Sequence, residues 1–345
     1  MARVLYGVMG DARGHVSRAL TVAQEMPEHE FLFVGGGHVH ALEAEGYPVE
    51  DVPMASTLYR DNRVDIPATV GHALGVLADS GSTVRRVCEI IGHFDPDLII
   101  TDYEYFTPRA ARRLGRPCVS VDHQHVLTHC VYDPPARQRL SRFMTCAAIR
   151  LLYSSASDYL VISFFRPEPA DPATTTLTPP VIRAVVRALV PSDGNHVLVY
   201  QTSPTFHRLF PVLERMGEKF IIYGLGEPAE RKNLVFKAPS KVGFLEDLAS
   251  ARYVIANGGH NVLSEALFLG KPVLCFPIAN AYEQFLNAFF LAERGYGDYS
   301  TSPNPRSDIL QTFESRVDEY RANISAGNFF GNPDVAAHLN GFFGR

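Results

Sequence analysis

Long apolar runs are missing from this sequence. None of its stretches approaches the roughly 20 residues that a membrane-spanning helix needs. The run that begins at Val4 meets Asp11 too early for a signal-peptide core. A soluble, cytoplasmic chain with at most peripheral membrane contact is expected. Cysteine is scarce and odd in number: Cys88, Cys118, Cys130, Cys146 and Cys275 are widely spaced, which argues for reduced thiols and against a disulfide framework or a zinc ribbon. Basic excess is absent too. The 32 Lys and Arg against 37 Asp and Glu leave a formal net charge of -5, with no field to draw nucleic acid. No repeat, heptad or low-complexity segment interrupts the chain.

Two nucleotide motifs are absent as well. No GK[ST] phosphate loop occurs, and the loop after the first apolar run is not GxGxxG. The second apolar run ends in Gly35, Gly36 and Gly37 where a dinucleotide site needs an acidic residue for the ribose. NAD and ATP roles drop out, and no cofactor is expected.

What is present is a well-stocked core. With 46% hydrophobic and 20% charged residues the chain should pack throughout, and 345 residues suggest two domains at about 100–200 residues each. Val/Ile/Leu-rich runs at 3–8, 30–34, 49–52, 98–101, 118–121 and 159–162 alternate with amphipathic segments. The alternation restarts at 196–200, 220–223, 234–237, 253–256 and 273–276. This rhythm predicts an α/β chain of two Rossmann-like, doubly wound parallel-sheet domains facing across a cleft. Prolines between 167 and 191 mark the boundary. The expected division is 1–178, a linker at 179–192, a second domain at 193–326, and a last helix within 327–345 packing back on the first domain.

Chemistry concentrates in a few places. In NGGHNVLSEALFLGKPVLCFPIANAYEQ, residues 257–284, a strand ends in two glycines and a helix opens near His260 and Asn261. Amides at such a helix start, aided by its dipole, form an anion site suited to a diphosphate. Gly258, Gly259, His260, Asn261 and Ser264 are its candidates. Glu265, one turn on, could bind a ribose diol, and Glu283 with Gln284 could hold sugar hydroxyls. After the first strand of the second half, Gln201, Thr202 and Ser203 precede a helix expected to start at Pro204, and could give a second phosphate contact.

In the first half, GVMGDARGHVSRAL (residues 7–20) feeds a strand into a loop and a helix. His15 then lies near a helix N-terminus whose positive end favours the neutral imidazole that a general base requires. Asp102, at the end of the fourth strand, is the carboxylate placed to orient it or to meet an acceptor. Gly14, Arg18, Glu104, His123 and His125 are the acceptor-side candidates. Asp122, His123, His125 and His129 have a spacing that could suggest a metal, but a polar cleft wall is the expected role and no metal ligand is assigned.

The 257–284 segment resembles the donor-binding signature of GT-B glycosyltransferases, particularly the peptidoglycan GlcNAc transferase and the UDP-glycosyltransferases. The loop carrying His15 is similar to their N-terminal GxGH-type loop, though Ala12 and Arg13 depart from its small or apolar residues. The resemblance implies a metal-independent, inverting transferase. In those families the residues matching His260 and its amides bind the diphosphate, that matching Glu265 the ribose, and those matching Glu283 and Gln284 the sugar. The one matching His15 is the base or an acceptor contact. The implied donor is a nucleotide diphosphate sugar, UDP-linked, and the acceptor an unidentified glycan, lipid-linked or small-molecule hydroxyl. A nucleotide-sugar 2-epimerase of the same architecture, or a non-catalytic nucleotide-sugar binding protein, are the alternatives.

Overall fold

The computed structural model describes residues 1–343 apart from 55, 57, 61–62, 202–205 and 227–230. The chain divides into two compact units: Met1–Leu58 with Asp65–Arg183 and Phe330–Arg345, and Tyr59–Val64 with Ala184–Phe329.

The first unit is built on seven strands: β1 (Arg3–Val8), β2 (Glu30–Val34), β3 (Val49–Glu50), β4 (Leu98–Asp102), β5 (Val119–Asp122), β6 (Asp158–Ile162) and β7 (Thr175–Thr178). They form one parallel sheet in the order β7-β6-β5-β4-β1-β2-β3. Alternate side chains enter opposite cores, as the period of a strand dictates. Val4, Tyr6, Val8, Ile100 and Val121 join one cluster, whereas Leu5, Val34, Ile99 and Cys118 join the other. Each such aliphatic burial stabilises by about 1.5–3 kcal/mol. The strand order reverses between β1 and β4. At such a switch point the loops leaving two neighbouring strands diverge and open a crevice at their carboxyl ends.

Helix Asn332–Asn340 belongs to this unit through Val335 and Leu339, which enter the β1 core. Asn332 fixes its start, accepting from the Ile182 amide at 2.7 Å and donating to the Ile182 carbonyl at 2.9 Å.

The second unit repeats the plan. Its strands β8 (His196–Tyr200), β9 (Lys219–Tyr223), β10 (Leu234–Phe236), β11 (Val254–Ala256), β12 (Val273–Cys275) and β13 (Gly297–Tyr299) form a parallel sheet ordered β10-β9-β8-β11-β12-β13. The switch point lies between β8 and β11. Val199, Phe220, Ile255 and Leu274 pack under Phe313, Val317 and Tyr320 from the tail. Both units are thus Rossmann-like.

Within the two main sheets, two strands had no signal in the sequence. β7 lies inside the proline-bearing stretch, where it is tolerated because it pairs on one side only and sits at the sheet edge. β13 is a three-residue edge strand, too short to show a pattern. Among the described residues all five cysteines are free, and no helix is long and apolar enough to cross a membrane.

Candidate active site

In the first unit the parallel register sets Val8 against Asp102, and the Met9 amide donates to the Asp102 carbonyl at 3.0 Å. The loop leaving β1 therefore starts beside the end of β4. A β-carbon at Gly10 would lie 1.7 Å from the Gly36 carbonyl oxygen. A β-carbon at Gly35 would likewise lie 2.4 Å from the Val8 carbonyl oxygen, so glycine is needed on both sides where the two backbones pass in contact. Helix Arg13–Gln24 follows, with Gly14 and His15 in its first turn.

His15 Nδ1 lies 2.6 Å from Asp102 Oδ1. A carboxylate only accepts, so at this shorter contact Nδ1 is the donor, and in the neutral ring Nε2 carries the lone pair; Arg18 Nη2, itself only a donor, lies farther from Nδ1, at 3.1 Å. Arg18, one turn along, donates through Nε to Oδ2 and through Nη2 to Oδ1, both at 2.7 Å. The aspartate side chain has no exposed surface, Arg18 keeps 5% and His15 11%. Burial works against the Arg18 charge, and the adjacent Asp102 more than offsets it, holding the guanidinium above its ordinary value. Arg18 thus clamps the carboxylate that holds His15, with its guanidinium turned to Asp102 and not to the surface.

The other first-unit candidates separate. Glu104 is buried, accepting from the Phe106 amide at 2.8 Å and the Thr107 amide at 2.6 Å. Its carboxylate, one residue before the Tyr105 N-cap, takes the first two amides of helix Phe106–Arg113, and burial raises its pKa despite those bonds. His123 is buried, its Nδ1 donating to the Ile162 carbonyl at 2.8 Å. His125 instead pairs with Asp122, Nδ1 to Oδ2 at 2.6 Å, and Ser120 donates to the same oxygen at 2.5 Å. Burial pushes the Asp122 carboxyl up, but His125 holds it far below the usual carboxylate range. The polar loop therefore divides its side chains between separate partners.

Sequence reasoning missed Tyr103. Directly after Asp102 it adopts φ 55°, a left-handed conformation rare for a bulky residue. Its ring is parallel to His15 within 9° at 6.0 Å and stacks on Tyr153 at 4.0 Å. No local pattern announces such a conformation.

In the second unit β11 leads into Asn257, whose buried amide donates to Gln201 Oε1 across the switch point. Gly258 has φ 102°, and a β-carbon there would sit 2.7 Å from the Gln284 carbonyl oxygen. Only glycine meets both demands. Asn287 donates to the Gly258 carbonyl at 3.0 Å, and Gln284 Oε1 accepts from the Ile278 amide at 3.1 Å. Turn, returning loop and helix Tyr282–Glu293 are thereby tied together. Gly259 faces open space and is the N-cap of helix His260–Phe268, whose own bonding begins with Leu263 donating to Gly259 at 3.2 Å. His260, Ser264 and Glu265 are buried along that helix, while Asn261 and Glu283 are half-buried. Thr202, Ser203 and Pro204 lie outside the described residues. The first helical turn after them is the short 3-10 segment His207–Leu209.

Residues 2–318 match the profile of "Glycosyl transferase family 1". An uncharacterised glycosyltransferase of Methanosarcina acetivorans is 23% identical over 93% of this chain and 92% of its own length. The glycotransferase of kitacinnamycin shares the fold at a TM-score of 0.70 and 16% identity, over 99% of both chains. UGT71G1 of Medicago truncatula, solved with UDP-glucose, does so at 0.68 and 13% identity, over 99% of this chain and 98% of its own.

Proposed function

The chain belongs to glycosyl transferase family 1 and is a glycosyltransferase of GT-B fold, and on that premise we propose a specific reaction. The enzyme moves a sugar from a UDP-linked donor to an acceptor hydroxyl in one displacement, inverting the anomeric carbon and using no metal. The observation that carries this reading is the 2.6 Å contact between His15 and Asp102 at the first switch point. It leaves Nε2 of a rigidly held imidazole as proton acceptor.

As the acceptor oxygen bonds to the anomeric carbon, its proton passes to His15 Nε2. The carbon–oxygen bond to the diphosphate breaks, and its electron pair stays on the phosphate oxygen. Asp102 stabilises the imidazolium that forms. The developing charge on the diphosphate is met by backbone amides at the start of helix His260–Phe268, which need no reorganisation in the transition state. Glu265 takes the ribose diol, and Glu283 with Gln284 take the sugar. Gly14, beside His15, and the half-buried Tyr103 ring border the acceptor hydroxyl. UDP-glucose in the Medicago structure supports the donor class.

A thermal-shift screen of UDP, GDP, dTDP and ADP tests the donor. A ligand at about 100 times its Kd should stabilise the fold by about 2.7 kcal/mol, with UDP the most effective. Equal response to all four would remove the uridine assignment. Conversion of the donor to an isomer without acceptor would refute transfer.

A further inference from the structure

Helix Arg139–Leu152 of the first unit is apolar on two faces. Cys146 and Ile149 are buried on the inner one. On the outer one Leu140, Phe143, Met144 and Leu151 remain 71%, 70%, 51% and 76% exposed. Their spacing of i, i+3, i+4 and i+11 aligns them in a single stripe, with exposed Ala147 at i+7 completing it. Solvated helix faces are ordinarily polar, and four large apolar side chains in register exceed the scattered exposure that a soluble surface carries.

The charge along the helix itself is one-sided. Residues 134–157 contain Arg137, Arg139, Arg142 and Arg150 and no Asp or Glu, in a chain whose formal net charge is -5. Arg139 and Arg150 are exposed, and both project beside the stripe on the same flank. A second copy of the chain packing this face on itself would bring like charges together, because a two-fold contact sets the same patch against its twin. An anionic lipid surface satisfies both features at once: it takes apolar side chains below the headgroups and pairs arginines with lipid phosphates.

We infer that helix Arg139–Leu152 docks on an anionic membrane surface, lying in the interface with Leu140, Phe143, Met144 and Leu151 among the acyl chains. The binding is peripheral and reversible, and salt weakens it by screening the arginines.

The chain contains no tryptophan, so Phe143→Trp installs a single fluorophore on the stripe. Its emission should shift to the blue, and be quenched by brominated acyl chains, with phosphatidylcholine vesicles that contain phosphatidylglycerol, and respond far less to phosphatidylcholine alone. In co-sedimentation of the otherwise native chain, Leu140→Ser with Leu151→Ser should lower partitioning by about tenfold or more. Arg139→Gln with Arg150→Gln should weaken binding to the anionic vesicles only. These positions are exposed, and unchanged circular dichroism verifies that the variants fold. Emission unmoved by anionic vesicles would overturn the inference. So would equal partitioning of the serine variant, or a blue shift without lipid that tracks a doubling of mass in sedimentation.

Discussion

In the first unit the candidate chemistry rests on side chains bound to one another, whereas in the second it rests on a backbone turn. His15 and Arg18 both bond the buried Asp102 carboxylate, and the Arg18 charge depends on it. Gly258 and Gly259 contribute no side chain: Gly258 makes the left-handed turn against Gln284, and Gly259 leaves open space at the helix start. A proton acceptor must be aimed and its tautomer held, which takes side chains. A diphosphate needs several donors converging on one point, which a helix start provides. The two regions should therefore fail in different ways.

Asp102→Ala should break the contrast most severely, because it leaves the Arg18 guanidinium buried without its counter-charge. A loss of about 3–5 kcal/mol is expected in chemical denaturation, with transfer abolished; a loss under about 1 kcal/mol, the worth of a surface ion pair, would mean the cluster does not organise this end of the sheet. His15→Ala should reduce transfer by about 10²–10⁴-fold while UDP-induced stabilisation stays at the native level. Loss of UDP binding in that variant would contradict the separation of roles.

Gly258→Ala forces a side chain into a left-handed turn and against the Gln284 carbonyl. It should destabilise the second unit by about 1–3 kcal/mol, read in thermal melts. Gly259→Ala sharpens the comparison, since its φ is -67° and nothing lies within 4 Å of the added carbon. Its melting temperature should stay native while UDP affinity falls by about tenfold, or about 1.4 kcal/mol. Native affinity there would place the diphosphate elsewhere.

A further effect in the first unit concerns pH. Burial first, and then neighbouring His125, lowers His129 to about 4 from an ordinary 6.5. Below 6.5 the unfolded chain takes up a proton that the folded chain refuses, so stability falls as pH drops from about 6.5 to 4. Asp122, held far below the usual carboxylate range, loses its contribution only below about 4. His129→Gln should flatten the first decline and leave the second, as urea titrations from about pH 7 down to about pH 2 would record.

The βαβ rhythm was readable because strands buried on both faces are continuous apolar runs, as Leu98–Asp102 and His196–Tyr200 show. The helix opening at His260 was readable from its glycines and the periodic apolar positions that follow. Thr175–Thr178 was not, since an edge strand need satisfy only one neighbour and carries no such run. Glu104 and Arg18 looked like cleft residues by position. Their partners are a helix start two residues away and a carboxylate 84 residues away, and neither can be inferred from side-chain type.

Local sequence thus determined where strands run, where helices begin, and that glycine must stand at a turn such as Gly258. These depend on neighbours within a few residues, through sterics and burial periodicity. Which polar groups meet was decided by the sheet order alone. Parallel pairing of β1 with β4 brings His15 to Asp102 across 87 residues, and pairing of β8 with β11 brings Gln201 to Asn257 across 56. A hydrogen bond of under 3 Å has no sequence signature until the strands that deliver its ends lie side by side.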